Sequence, residues 1–235
     1  MAIAHIVRKF DEELDRIESL LLEMGGLVES QIQKSVMAVT GQDADAIEEI
    51  FIAENRVNAL EREIDEETVR LLALRHPMAN DLRAAISAMK VANDLERIGD
   101  YAKSMARRAL SISDETAVLN RPLESLSRMS EVVESMLKDV LDAYVARDLE
   151  KAHAVWARDD TVDSMYTALF REMLTYMMEN PANISAGTHL MFVAKNLERT
   201  GDHVTNIAEQ IHFLVTGDMM ERAMDATQHL GGQDG

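Results

Sequence analysis

The chain is an internal duplication, and this repeat limits its possible folds more than any other feature of the sequence. Aligned against itself at an offset of 105 residues, Val28-Glu29-Ser30 falls on Val133-Glu134-Ser135. Further on, the offset becomes 102 residues, and Asp-Leu-Glu-Arg-Ile-Gly-Asp at 94–100 falls on Asn-Leu-Glu-Arg-Thr-Gly-Asp at 196–202. One supersecondary unit therefore occurs twice, and both halves are expected to share its fold.

Apolar residues within a unit recur every three or four positions, which is typical of amphipathic helices. Asp43 is a candidate N-cap for a second helix that runs to about Arg75. Pro77 ends that helix because the residue before a proline avoids helical geometry. A third helix is predicted from about Asn80 to Leu110. The stripe of the first helix contains Ile6, Phe10, Leu14, Ile17, Leu21, Met24, Val28, Ile32, Val36 and Val39.

The expected fold is therefore all-α, with two tandem three-helix bundles related by internal duplication. Aromatic residues make up only 4% of the chain and prolines number three, which also favours helix over strand. We assign residues 1–112 to the first bundle, 113–217 to the second and 218–235 to a flexible C-terminal tail. In the second bundle, helix breaks are expected near Arg147/Asp148 and Asn180/Pro181.

The charge balance argues against nucleic acid as a partner. The chain has 42 acidic and 24 basic residues, a net charge of −18, so its surface repels phosphate backbones. The sequence has neither a long uncharged apolar segment nor a signal-peptide pattern, and it lacks cysteine. We therefore expect a cytoplasmic protein that does not span a membrane.

The third helix of each unit carries a Glu-x-x-x-Asp motif, at Glu96/Asp100 and at Glu198/Asp202. Acidic residues four positions apart lie on one face of a helix. A single such pair is common on solvated helices, but the recurrence of the pair at equivalent positions favours a functional role.

The second helix of each unit carries a further acid at a core-facing position, Glu54 in the first unit and Asp159 in the second. Asn58 and Asp163 follow one turn later on the same side of their helices. Ionised carboxylates at a helix seam are costly unless a cation, a basic partner or water offsets the desolvation.

Two interpretations of these acids remain open. In the structural interpretation, each acid pairs with an arginine, such as Arg56, Arg97, Arg158 or Arg199, or lies at a wet bundle edge. In the functional interpretation, the acids bind a hard cation, iron or manganese through oxygen ligands. The predicted metal-site residues are Glu54, Asn58, Glu96, Asp100, Asp159, Asp163, Glu198 and Asp202.

A rival site involves histidine. Glu150-x-x-His153 and Glu209-x-x-His212 have the Glu-x-x-His spacing of ferritin-like di-iron carboxylate bundles, which would make the chain an enzyme. Neither motif has a counterpart in the first unit, and both histidines lie one residue away from the apolar seam. This alternative is weaker than the carboxylate site.

Taken together, these motifs resemble the PhoU family of phosphate-specific transport system accessory proteins. The resemblance rests on the two copies of the 94–100 motif, on Met24-Gly25-Gly26, on Pro77 with Asp81-Leu82-Arg83, and on Leu174–Glu179. It covers about residues 5–217.

The resemblance implies a non-catalytic, cytoplasmic and homodimeric negative regulator of the phosphate-starvation response and of high-affinity phosphate uptake. It implies two partners, the ATPase PstB of the phosphate ABC transporter and the sensor kinase PhoR. It also implies bound metal ions (iron, zinc, manganese or magnesium) at Glu/Asp-x-x-x-Asp motifs. Since Asn58 replaces the second acid after Glu54, the first unit should bind metal less tightly than the second.

Overall fold

The computed structural model describes residues 2–41, 46–112 and 120–220, with side chains from Lys9 onward. These ranges contain α-helices and one short 3-10 helix and no strand, which confirms the all-α prediction. The helices are α1 (Ala2–Val39), α2 (Ala46–Arg75), α3 (Asn80–Ile112), α4 (Asn120–Ala146), α5 (Leu149–Trp156), α6 (Asp159–Glu179), the 3-10 helix Pro181–Asn183 and α7 (Ile184–Thr216).

Both helix breaks predicted in the second unit are confirmed, and each is stabilised by a side-chain cap. The Asp148 carboxylate accepts a hydrogen bond from the Lys151 backbone N–H at 3.0 Å, so it caps the N-terminus of α5. The Asn180 side chain accepts one from the Ala182 N–H at 3.1 Å where the 3-10 helix begins.

The prediction of a single second helix in each unit is wrong for the second unit. Its counterpart of α2 is divided into α5 and α6 by a turn at Ala157 and Arg158. The Arg158 guanidinium donates to the Asp139 carboxylate at 3.1 Å and to the Val132 carbonyl at 3.3 Å, both on α4. These contacts hold the turn against α4, and apolar spacing gave no sign of the interruption.

Three features of the sequence prediction lie outside the described residues. They are the proposed N-cap Asp43, residues 113–119 of the connection between the units, and residues 221–235 of the tail. The connection joins Ile112 at the end of α3 to Asn120 at the start of α4.

The two units pack side by side through equivalent helices. In the first unit α1, α2 and α3 contact one another, and in the second unit α7 contacts α4, α5 and α6. The most extensive contact between any two described helices joins α3 to α7, and α1 also contacts α4. Gly25 allows this second contact, since a Cβ atom there would lie 2.9 Å from Leu141 Cδ1. The missing side chain at Gly25 therefore permits the close approach of α1 to α4.

A cluster of polar side chains lies where α3 meets α7. His203 Nδ1 is 2.7 Å from Asp94 Oδ1, and His203 Nε2 is 3.2 Å from the Tyr101 hydroxyl. Asn206 donates to the same Asp94 oxygen at 3.2 Å. Tyr101 and His203 are 102 positions apart, which is the repeat offset at this point, so equivalent positions of the two units touch each other.

None of the helices in the described ranges combines the length and the apolar character that crossing a bilayer requires.

Candidate functional site

The acid of α2 lies in the core of the first unit. Glu54 is only 2% exposed, which confirms the core-facing position predicted from the seam. Its Oε1 atom accepts hydrogen bonds from Asn58 Nδ2 and from Lys103 Nζ, both at 3.2 Å. Lys103 comes from α3, so the ion pair joins the two helices that carry the predicted site.

Two buried oxygen atoms beside this ion pair have no hydrogen-bond donor within the described part of the chain, Glu54 Oε2 and Gln31 Oε1. The Gln31 amide nitrogen donates to the Ile50 carbonyl at 3.2 Å, which turns its oxygen away from that carbonyl. A Cβ atom on Gly99 would lie 3.2 Å from the Gln31 oxygen and 3.4 Å from the Glu54 oxygen. Buried acceptors are rarely left without a donor or a cation, so this pair of oxygens is a favourable environment for positive charge.

The Glu-x-x-x-Asp motif of α3 lies at the edge of this environment. Burial raises the pKa of Glu96, and the negative charges of Asp100 and Glu61 raise it further. The guanidinium of the adjacent Arg97 is 3.7 Å from Glu96 and acts in the opposite direction. Asp100 is 3.8 Å from Lys103. Glu54, Glu96 and Asp100 therefore belong to one electrostatically coupled group.

The corresponding acids of the second unit are divided between the interior and the surface. Asp159 is buried at 8% exposure, as predicted, and Glu198 is mostly buried and forms an ion pair with Lys195. The Lys195 ammonium also lies 5.3 Å from the centre of the Tyr166 ring. Asp163 and Asp202 are exposed. The second unit thus places two of its four predicted acids in the interior and two at the surface.

A lysine faces the acids in each unit, but the two lysines come from different positions of the repeat. Lys103 follows Asp100 by three residues, whereas Lys195 precedes Glu198 by three. Two of the four arginines predicted as possible partners of these acids form ion pairs with other acidic residues. Arg56 pairs with Glu23, and Arg158 pairs with Asp139.

No three His, Asp or Glu side chains within residues 2–41, 46–112 and 120–220 converge closely enough to hold one metal ion. The structure therefore brings Glu54 and Asn58 into direct contact and Glu96 and Asp100 near them, but it does not gather all eight predicted residues. A metal ion in the first unit would take the place of the Lys103 ammonium beside Glu54.

Two residues of this site, Lys103 and Gln31, were not predicted from the sequence. Lys103 could have been found, because a lysine three residues after Asp100 lies on the same helix face. Gln31 gave no such signal, since it lies on α1 outside any acidic motif.

A separate open cleft of about 420 Å³ lies between α2, α3 and α7. Its walls are mainly polar and include four acidic residues, and burial raises the pKa of one of these, Asp65. None of the eight predicted metal-site residues lines it. The lining residues are Glu61, Asp65, Met89, Lys90, Asn93, Asp94, Asn206, Glu209 and Gln210.

The structure brings the two histidines of the rival motifs together. His153 Nε2 lies 3.0 Å from His212 Nδ1, and the rings are stacked. Glu209 instead accepts a hydrogen bond from the Trp156 indole at 3.4 Å. The described residues thus contain no cluster of glutamate and histidine ligands of the ferritin-like kind.

The fold and the site together define a class of duplicated helical-bundle proteins with acidic residues between the second and third helices of each unit. The family model for the PhoU domain matches residues 21–109 and 126–211, once in each unit. The chain belongs to the PhoU family.

Individual proteins agree with this assignment. A phosphate-specific transport system accessory protein PhoU homolog of Caulobacter vibrioides is 47% identical over 216 residues, covering 91% of this chain and 93% of that protein. The Rhizobium meliloti homolog is 42% identical over 217 residues, covering 92% and 91%. The crystal structure of PhoU from Pseudomonas aeruginosa has a TM-score of 0.85 at 41% identity and covers 89% of this chain and 100% of that one.

Proposed function

We propose that the chain is a regulatory accessory protein of phosphate transport that binds metal ions and catalyses no reaction. The relatives support the first part, since they carry the name of phosphate-specific transport system accessory protein. A structural neighbour from Streptococcus pneumoniae, 32% identical with a TM-score of 0.83 over 91% of this chain and 100% of that one, is named a phosphate transport system regulatory protein.

The proposed partners are the transporter ATPase PstB and the sensor kinase PhoR, which a cytoplasmic homodimer of this chain would connect. When phosphate is plentiful, the assembly restrains the starvation response and high-affinity uptake. Exposed apolar side chains at the turn between the second and third helices of each unit support docking to protein partners. Met78 is 80% exposed in the first turn, and Met178, in the last turn of α6 just before the second, is 85% exposed.

The metal part of the proposal rests on one observation, the two buried oxygens Glu54 Oε2 and Gln31 Oε1 that have no donor in the described structure. Oxygen ligands of this kind suit hard cations. Glu54, Glu96 and Asp100 would hold the ion in the first unit, with Asn58 as a neutral oxygen donor. Asp159, Asp163, Glu198 and Asp202 would do so in the second. A bound cation would neutralise clustered carboxylates and link the second helix of each unit to the third.

Elemental analysis and calorimetry test metal binding. Protein purified without a chelator should contain metal, and the D100N/D202N double variant should lose it. Manganese titration should show weaker binding by the D202N variant, which keeps the first-unit site, than by the D100N variant, which keeps the second-unit site. The reason is that the first unit has Asn58 where the second has a carboxylate. Equal affinity in the two units would contradict that ranking, and a metal-free wild-type protein that binds no added ion would contradict metal binding altogether.

A reporter strain tests the regulatory role. Deleting the gene should raise alkaline-phosphatase reporter expression in high phosphate, and the wild-type gene should restore repression. An unchanged reporter would overturn the proposal.

Capture of PstB and PhoR tests the docking surface. Met78→Glu and Met178→Glu should reduce capture by the purified protein. Ile52→Glu is the matched control, since Ile52 is also an exposed apolar residue but lies near the other end of α2. Equal capture by all three variants would show that the two turns are not the docking surface.

A further inference from the structure

We propose that His153 and His212 form a separate binding site for a divalent transition-metal ion that prefers imidazole nitrogen, with Zn²⁺ as the probe. The site shares no residue with the carboxylate groups and does not depend on the proposed phosphate role. It occurs once in the chain, because the first unit has Glu48 and Leu110 at the equivalent positions.

The separation of the two rings is close to what a metal ion requires. His153 Nε2 and His212 Nδ1 are 3.0 Å apart, with ring centroids 5.2 Å apart and an interplanar angle of 26°. Two nitrogens bound to tetrahedral zinc at about 2.0–2.1 Å are roughly 3.3 Å apart. An opening of a few tenths of an ångström, together with a rotation of the rings that directs both lone pairs to one position, therefore admits the ion.

The helices that carry the two histidines are fixed relative to each other. One turn away, the Trp156 indole on α5 donates to Glu209 on α7 at 3.4 Å. Next to each histidine, Ala152 on α5 and Ile211 on α7 are fully buried in the core. The ion would thus meet two ligands on a rigid scaffold, which lowers the entropic cost of binding.

Water and ions can reach this pair of rings. His153 is exposed and His212 is half-buried, so water molecules can complete the coordination shell. The chain carries a net charge of −18, which concentrates cations near its surface.

Metal binding by the pair with both rings neutral requires a change of tautomer in one ring but no net loss of a proton. When both rings are neutral, one facing nitrogen carries the hydrogen of their mutual hydrogen bond and the other accepts it. Coordination needs a lone pair on both facing nitrogens. The donor ring therefore transfers its proton to its outer nitrogen, Nδ1 for His153 or Nε2 for His212, by exchange with water.

Zinc titration of the tag-free, chelator-treated full chain tests the proposal. Isothermal calorimetry should detect a site that weakens at least tenfold in His153→Gln and in His212→Gln. His76→Gln, a change at an exposed histidine in a turn, should leave that site unchanged. The D100N/D202N variant should also retain it, so failure of the carboxylate proposal would be distinguishable from failure of this one.

Two measurements keep the result interpretable. Circular dichroism should show that both histidine variants fold. In the D100N/D202N background, which removes the proposed carboxylate sites, Zn²⁺ should raise the Tm when both histidines are present but not when either is replaced by glutamine, since an ion that binds only the native state stabilises it. X-ray absorption should find nitrogen neighbours at about 2.0–2.1 Å from the zinc. Equal binding by wild-type and histidine variants, binding only at millimolar zinc as an adventitious ion, or a shell of oxygen alone would overturn the proposal.

Discussion

The ammonium of Lys103 on α3 lies 3.2 Å from a carboxylate oxygen of Glu54 on α2, and Glu54 is 2% exposed. The buried charge of the first unit is thus neutralised by an internal cation from the neighbouring helix. Removing one member of such a pair is more damaging than the modest value of the pair suggests, because the other charge stays in the interior.

Lys103→Met should therefore lower the free energy of unfolding by about 2 kcal/mol, since among the described residues it leaves the buried Glu54 carboxylate with a hydrogen bond from the neutral Asn58 amide and no ion pair. Urea unfolding at neutral pH measures this loss. Lys138→Met serves as the control, because Lys138 is exposed and its replacement should change stability by less than about 0.5 kcal/mol. Similar values for the two variants would show that the ion pair does not stabilise the fold.

Glu96→Gln should stabilise the protein at pH 7. Burial and then the charges of Asp100 and Glu61 raise the pKa of Glu96 in the folded state, so its ionised form is disfavoured there. The raised pKa of Glu96 adds to the free energy of unfolding at pH values below the pKa of this residue in the unfolded chain. This contribution is lost as pH rises through its pKa in the folded protein. We expect a gain of about 0.5 kcal/mol at pH 7, typical of removing a like-charge pair one turn apart, and none at pH 4.

Urea unfolding of both proteins at the two pH values checks this prediction. Arg97 is left intact, so the change in stability reports the removal of the Glu96 charge, including its attraction to Arg97. A gain that persists undiminished at pH 4 would assign the effect to packing rather than to charge.

Gly99→Ala and Gly26→Ala should have opposite effects, although both remove a helical glycine. A Cβ atom at Gly99 would lie 3.2 Å from Gln31 Oε1 and 3.4 Å from Glu54 Oε2, whereas one at Gly26 meets nothing within 4 Å. Gly26→Ala should gain about 0.5–1 kcal/mol from helix propensity alone. Gly99→Ala should lose about 1 kcal/mol because it crowds two buried oxygens. Thermal unfolding distinguishes the two, and stabilisation by both would show that Gly99 is not needed for close approach.

Asp94→Ala should weaken the contact between the two units. It removes the acceptor that His203 and Asn206 share at 2.7 and 3.2 Å, so we expect a loss of about 2 kcal/mol, since hydrogen bonds to charged groups are worth about 1.5–3 kcal/mol. Glu172→Ala is a suitable control, because Glu172 contacts Arg121 only at 3.9 Å and Ser125 at 3.0 Å within one unit. Urea unfolding and limited proteolysis between the units would measure the difference, and an unaffected Asp94→Ala would argue against this role.

Apolar periodicity and the internal repeat predicted most of the helices. Most helix boundaries were also predictable, because they depend on local residues such as Pro77, Asp148 and Asn180. These signals did not predict the turn that separates α5 from α6. That turn is held by Arg158 contacts to α4, and a tertiary contact leaves no trace in local spacing.

The candidate site was predictable to a similar degree. The interior positions of Glu54 and Asp159 followed from the seam on which each lies. The counter-ion was predictable in part, because the spacing of three residues places Lys103 beside Asp100, but its contact with Glu54 on α2 depends on packing. Gln31 could not be predicted, because it comes from α1 rather than from an acidic helix.

The contact between Tyr101 and His203 has a consequence for the ancestry of the fold. A residue that touches its own equivalent lies on a two-fold relation, as in an isologous interface between identical subunits. The α3–α7 packing is therefore arranged like the interface of a symmetric dimer of single units. When two such units share one chain, a substitution in one unit need not occur in the other. Equivalent positions can therefore hold different residues, as Asn58 and Asp163 do, and as Tyr101 and His203 do.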